Sequence, residues 1–318
     1  MRLVPAGLAT TAALACAVVV SACGFGAGPS SGGTAMLTVT RDYGSKTLVE
    51  ATDSDPPSSE TVIRFLDSQA DITTRYGGGF VQSIDGLAGS GDSDWFFYVN
   101  GIESPVGSAD VQVKGGDRIW WDYRNWTAAM SVPEVVGSWP EPFAQASADH
   151  PRPVHVECLG VRQACEAASH RLAAAGVKAP VESGAQDGSA SGPRVLVGPW
   201  KRVRTDPAVD ELRAPQSTGV FATFKGPIHG GWHLIGLDQN GHPTRDLGST
   251  AGLVAALGGS GDQPTWIVTG SGGSAVGRAA DALDSSALTW PVPAPPSRRA
   301  RRPRPRGRRR RGRSGSSR

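Results

Sequence analysis

The sequence predicts an α+β fold, and three observations carry that prediction. Between residues 36 and 126, β-branched and aromatic runs alternate in polarity and are broken by Gly-rich turns, with one segment of helical period among them. From residue 153, strand-like and helix-like runs follow one another in turn, which is the pattern of a second, α/β region. The chain then closes on an Arg-rich stretch that holds too few apolar residues to pack.

The elements can be justified in order. "AMLTVTRDYG" alternates and is β-branched, so it reads as a strand. "PPSSETVIRFLDSQA" changes period: Pro57, a cap at Ser58 or Ser59, then Val62, Phe65 and Leu66 at helical spacing. "DITTRYGGGFVQSIDG", "DWFFYVNG" and "DVQVKGGDRIWWDY" read as strands joined by turns whose glycines and Asn100-Gly101 supply positive φ. In the second region the expected strands are "RPVHVEC", "RVLVGPW", "GVFATF", "WHLIGLD" and "PTWIVTG". The expected helices are "VRQACEAASHRLAAAG", "DPAVDELRAP", "TAGLVAALG" and the run after Gly270–Ser274. The Gly/Ser turn at 270–274 lacks the ordered glycines of a dinucleotide site and the Lys-Ser/Thr pair of a P-loop, so a tight structural turn is preferred to an anion site.

Strand period divides the aromatic crowd between Ser93 and Trp126 into two faces. Trp95, Phe97 and Val99 form one row with Ile119, Trp121 and Tyr123; Phe96, Tyr98 and Asn100 form the other with Trp120, Asp122 and Arg124. The first row is uniformly apolar and is expected under the helix. The mixed row is expected to face solvent as a ligand-binding platform, because Trp and Tyr combine flat area with a polar handle; the competing reading is cross-strand stiffening alone.

The order "YGGGFVQSIDG", "DWFFYVNG", a Gly-Ser-Ala-Asp stretch and "KGGDRIWWDY" resembles the transcobalamin-like C-terminal domain of bacterial surface proteins, over roughly Leu37 to Trp126. Asp94 stands where that family usually has tyrosine, and the helical barrel of the animal B12 carriers has no counterpart here. The resemblance implies a β-grasp-like sheet with a ligand-contacting face, and makes a corrinoid such as cobalamin the first ligand to try, with no cofactor otherwise required.

At the N-terminus, Arg2 precedes an apolar run from about Leu8 to Val20, which reads as a secretion signal too short for a membrane span. Val20-Ser21-Ala22-Cys23 resembles the bacterial lipobox, which implies lipidation of Cys23 and a protein anchored by lipid on the extracytoplasmic face of the cell membrane. The stretch "GFGAGPSSGGTA" then suits a flexible tether. Two other cysteines, Cys158 and Cys165, are expected to pair across a strand end and the first turns of a helix. Metal binding by them is the weaker reading, because no nearby His pair completes four ligands.

The expected organisation is a signal peptide over 1–22, a tether over 23–35, the transcobalamin-like domain over 36–126, a Pro-rich linker over 127–152, an α/β domain over 153–290 and a disordered basic tail over 291–318. The net charge of +3 conceals an asymmetry: from Arg298 onward there are twelve arginines and no acid, leaving 20 basic against 29 acidic groups before it. Export argues against nucleic acid as the partner of that tail. The G-x-S-x-G match at 28–32 lies in the tether, where no strand–turn–helix can form a nucleophile elbow. His229, His233 and His242 with Asp238 lack a spacing that dictates a metal site.

No catalytic or metal residues are therefore expected, and the function expected is extracytoplasmic ligand binding, with an uptake transporter as partner. The alternative is a structural or adhesive envelope lipoprotein. The lipobox has a direct test: Cys23→Ser should move the protein from the membrane pellet to the soluble fraction, and a variant that stays in the pellet overturns lipid anchoring.

Overall fold

The computed structural model describes residues 32–144, 153–184, 192–228, 231–258, 263–284 and 288. The signal peptide, Cys23, the residues after 144 in the expected linker, His229 and the basic tail lie outside the described residues. The fold is α+β.

Strands β1 (Ala35–Arg41) and β2 (Lys46–Asp53) form a hairpin, followed by helix α1 (Val62–Gln69). The helix cap is Thr61, whose hydroxyl accepts from the Arg64 amide at 3.4 Å, and not Ser58 or Ser59; all three hydroxyls suit the role, and Thr61 stands one residue before the helix begins. Strands β3 (Ile72–Arg75), β4 (Phe80–Ile84) and β5 (Leu87–Ala88) make a separate three-stranded meander. Strands β6 (Ser93–Val99), β7 (Ile102–Glu103) and β8 (Arg118–Asn125) complete a five-stranded sheet of order β2-β1-β8-β6-β7.

The centre of this sheet is the parallel pair β1·β8, in register Leu37↔Ile119 and Val39↔Trp121. Beside it, β6 runs antiparallel to β8 with Phe97↔Trp121 and Tyr98↔Trp120 opposed. One face is dry: Leu37, Val39, Trp95, Ile119 and Trp121 bury against Val62, Phe65 and Leu66 of α1. Phe97 stacks on Trp121 with ring centroids 4.9 Å apart. Period alone therefore assigns this face correctly.

The opposite face departs from expectation. Tyr98 is 1% exposed and Arg124 1%, so the mixed row is no solvent-facing platform. It is covered by residues 126–143, the front part of the expected linker, whose Ala129, Val132 and Val135 pack on Tyr98 and Trp120. Three prolines in that stretch, Pro133, Pro140 and Pro142, suggest interruption, but Val132, Val135, Trp139 and Phe143 give it an apolar side, and prolines in an irregular strap leave no ladder hydrogen bond unmade. Trp139 and Phe143 then enter the second core, lying 5.8 and 5.0 Å from the ring of Trp266.

The second sheet has order β10-β9-β11-β16-β15. It comprises β9 (His155–Cys158), β10 (Val181–Ser183), β11 (Arg194–Pro199), β15 (Gly252–Ala256) and β16 (Thr265–Gly270), all parallel except the edge strand β15. Helices α2 (Arg162–Ala174) and α5 (Gly273–Asp281) cover one face; α3 (Trp200–Val203), a 3-10 segment (Pro207–Arg213) and α4 (Pro215–Thr218) lie between β11 and the meander β12 (Ala222–Ile228), β13 (Gly231–Leu237) and β14 (Pro243–Gly248).

One expected helix is a strand. "TAGLVAALG" forms β15, because a short apolar run between two glycines has no decisive period, and Gly252 sits where an added Cβ would be 2.4 Å from the Ala275 carbonyl oxygen of α5. The 270–274 turn is a close strand–helix junction, since a Cβ on Gly270 would lie 2.5 Å from that of Ala275.

Cys158, at the end of β9, is disulfide-bonded to Cys165 in the first turn of α2. The link closes a short loop and ties α2 to its sheet. Replacing both cysteines with serine should lower the stability of this region by about 2–3 kcal/mol in the chain-entropy account. Denaturant titration of the variant checks the loss, and an exported protein with two free thiols by intact mass overturns the pairing.

Candidate functional site

The mixed face and its cover border a half-open cavity of about 220 Å³, lined by Tyr43, Tyr98, Trp120, Asp122 and Arg124 from the first sheet, Val132, Glu134, Val135 and Val136 from the strap, and Thr218 to Val220 and Val254 to Ala256 from the second region. A neighbouring cavity of about 240 Å³ shares Tyr43, Trp120 and Val136 with it and extends over Thr38, Thr40 and Gly44. Four of the six residues expected to bind ligand, Tyr98, Trp120, Asp122 and Arg124, thus meet at one space. The other two do not line it. Phe96 lies beneath the Arg124 guanidinium, 3.8 Å from ring centroid to Cζ. Asn100 serves the turn after β6: at φ +54° its amide nitrogen donates to Asp117 (2.8 Å) and its oxygen accepts from the Arg118 amide (2.8 Å). Its side chain fixes the chain reversal that left-handed backbone demands.

Asp122 is the structural hub of this face. It accepts from the Thr40 hydroxyl (2.7 Å) and from the backbone amides of Tyr43 (3.1 Å) and Gly44 (3.1 Å). Those bonds hold a turn in which Asp42 and Tyr43 both have positive φ (57° and 59°), an uncommon state for residues with a Cβ. Held so, Tyr43 reaches across the face, donates to the Asn125 carbonyl (2.6 Å) and meets Phe221 edge-on at 5.1 Å. Burial pushes the Asp122 carboxyl up to about 6, against the opposing pull of the Thr40 hydroxyl and the Gly44 amide.

Trp120 is fixed as firmly. Its indole nitrogen donates to Thr40 Oγ1 at 2.6 Å, and its ring occupies the space that a Cβ at Gly44 or Gly137 would take, at 2.8 and 2.2 Å respectively. Arg124 donates to the Ala129 carbonyl of the strap and to Glu103, the latter at 3.0 Å. Burial raises the Glu103 carboxyl, with Arg124 pulling it down, and also raises the Tyr98 phenol.

Two residues of the cavity had no signal in the sequence. Tyr43 stands in a turn, and Glu134 lies among the prolines and valines of the strap. Glu134 is 5% exposed and its Oε2 has no hydrogen-bond partner. Burial pushes its carboxyl up to about 8, opposed by the Gly258 amide and the Trp266 indole.

The histidines separate into pairs: His233 with Asp246 at 2.9 Å and His242 with Asp238 at 3.5 Å. Among the described residues no three His, Cys, Asp or Glu side chains gather as a metal site, and no helix is long and apolar enough to cross a membrane.

Residues 59–125 match the family described as Domain of unknown function (DUF4430). The match carries β6 and β8, hence Tyr98, Trp120, Asp122 and Arg124, but excludes Tyr43 and the strap with Glu134. No curated protein matches the chain. Among solved structures, the crystal structure of a "putative metal binding protein" from Ruminococcus gnavus ATCC 29149 aligns with 29% of this chain and 97% of its own, at 14% identity and a TM-score of 0.24.

The buried carboxyl gives a pH signature. The folded-state value of Glu134 stands above the ordinary 4.5, so the folded protein holds a proton that the unfolded chain releases. Its contribution to stability is full below about pH 4.5 and is lost as pH rises to about 8, by up to about 4–5 kcal/mol on the linkage relation. Asp122 acts with the same sign at lower pH. Glu134→Gln should flatten this decline in denaturant titrations at pH 5, 6.5 and 8; a wild-type protein more stable at pH 8 than at pH 5 overturns the assignment.

Proposed function

We propose that the chain is a membrane-tethered, extracytoplasmic ligand-binding protein, and not an enzyme, which holds a small molecule between the mixed face of its first sheet and the strap that covers it and presents that molecule to an uptake system. The observation that carries this reading is the cavity of about 220 Å³ beside Tyr98 and Trp120, with few polar groups set among aromatic and aliphatic walls. Lipid anchoring and export rest on the N-terminal sequence, and the preference for ligand uptake over adhesion rests on the covered second face. An adhesive sheet would offer an open second face, and this one is covered.

The size narrows the ligand. At about 30 Å³ per water the space holds about seven waters, which corresponds to a ligand of about seven to ten non-hydrogen atoms. It is below the roughly 300–1,000 Å³ of pockets that engulf drug-sized ligands. A corrinoid, which the family resemblance suggests, would therefore engage through a peripheral substituent and leave its ring outside.

Thermal unfolding of the full chain with small metabolites, corrinoids, haem and surface glycans tests the proposal, because a ligand of the native state raises its apparent stability. Small metabolites should raise the melting temperature, and Trp120→Phe should reduce the shift. A screen in which nothing small binds, or in which the Trp120 variant responds like the wild type, overturns it.

A further inference from the structure

We propose that a third cavity, in the α/β region, binds a small aromatic carboxylate through the guanidinium of Arg204. This cavity of about 190 Å³ shares no residue with the two beside Trp120. It lies where α3 meets the β12·β13 hairpin, and Trp200, Arg204, Arg213, Phe224, Trp232 and Leu253 are among its walls. The strand register explains how its aromatic side is built. Phe224 of β12 opposes Leu234 of β13, and Trp232, two residues from Leu234, falls on the same face. On the facing element Trp200 and Arg204 are one helical turn apart, the Arg204 amide donating to the Trp200 carbonyl at 2.9 Å. Each of them meets one ring of the hairpin. Trp200 stacks on Phe224 with centroids 4.6 Å apart and planes at 19°, and the Arg204 guanidinium lies over Trp232, 5.1 Å from its centroid. A hydrogen bond from the Trp232 amide to the Ser271 hydroxyl (3.0 Å) ties the hairpin to the turn after β16.

The charge on these walls runs against that of the chain. Residues before Arg298 carry 20 basic against 29 acidic groups, yet both charged side chains on the cavity are arginines and no acid lines it. Arg213 is taken by Asp210 in an exposed pair at 3.0 Å. The side chain of Arg204 forms no hydrogen bond or ion pair among the described residues, so its charge is uncompensated. A guanidinium resting on a ring keeps its planar N–H fork, which matches the two oxygens of a carboxylate. An exposed arginine is by itself ordinary. This one is held by an indole at the wall of a recess whose other sides are largely apolar, so an anion bonded to it would bring its apolar body into that recess.

The walls and the volume choose the body. Trp200, Phe224 and Trp232 present aromatic rings, and ring–ring contacts add to what burial of area alone supplies, which favours a flat ring over a branched chain. At about 30 Å³ per water the space holds about six waters, or about six to nine non-hydrogen atoms. A single ring with one carboxylate, such as benzoate, fits that size. A nucleotide or a corrinoid does not, and inorganic phosphate would leave the aromatic walls without a partner.

The test is a ligand-observed NMR titration of the full-length protein with benzoate, with benzamide, which keeps the ring without the charge, and with cyclohexanecarboxylate, which keeps the charge without the aromatic ring. Benzoate should bind at least tenfold more tightly than benzamide and more tightly than cyclohexanecarboxylate. Arg204→Gln should weaken benzoate at least tenfold at an unchanged melting temperature, since the side chain it replaces is exposed. Should that variant melt below the wild type, the comparison of benzoate with benzamide on the wild type decides the role of charge. Equal binding of benzoate and either analogue, or unchanged benzoate binding by a folded Arg204→Gln, overturns the proposal. So does no binding of benzoate at all, the outcome for a recess that holds only water. None of these results bears on the cavity beside Trp120, which is tested by its own variant.

Discussion

A sheet has two faces, and the first sheet of this protein has one short helix to cover them. Helix α1 shields the row of Trp95, Phe97, Ile119 and Trp121, but its eight residues cannot reach the other side. Something else has to cover Tyr98, Trp120 and Arg124, and the chain meets that requirement with its own residues 126–143. The rest of the architecture depends on this. The strap that closes the second face also carries Trp139 and Phe143 into the core of the parallel sheet, so one irregular segment joins two hydrophobic interiors.

A cover made of irregular chain fits less tightly than a helix laid in a groove. Side chains of a regular element mesh with a sheet at a fixed spacing, whereas a strap rich in proline follows its own backbone and leaves gaps where the two curvatures differ. The two cavities that share Trp120 lie along that seam. The polar groups trapped there keep the shifted protonation that burial imposes: Asp122 is stabilised by the turn it organises, and Glu134 is only partly offset by the Gly258 amide and the Trp266 indole. Electrostatics and shape at the site share one origin, the manner in which the second face is closed.

This also explains what could be read from the sequence. The alternation of "DWFFYVNG" and "RIWWDY" fixed which side chains share a face, and the helical spacing of Val62, Phe65 and Leu66 placed one helix against the sheet, as observed. Both are local or motif-level signals. What covers the mixed face is a long-range fact, and no periodicity in "VPEVVGSWPEPF" announces it, since an irregular strap has none; its Val132, Val135, Trp139 and Phe143 were the available hint that it packs. Asn100 was read as a site residue because it shares a row with Tyr98, yet its amide is consumed by its own turn. Tyr43 enters the site only because Asp122, far along the chain, bonds the turn that carries it. The "TAGLVAALG" strand was misread for a similar reason: Gly252 owes its presence to the approach of α5 and not to any local preference.

Trp120 lines both cavities, and its ring edge lies where a Cβ at Gly44 or Gly137 would stand. The dimensions of the binding space are therefore written in one indole and two absent methyl groups rather than in the backbone. A smaller ring at 120 would enlarge the space, and a methyl at 137 would displace the indole, in either case with the sheet around it left in register. Relatives sharing this scaffold can diverge in what they hold by changing three positions that lie outside the core beneath helix α1.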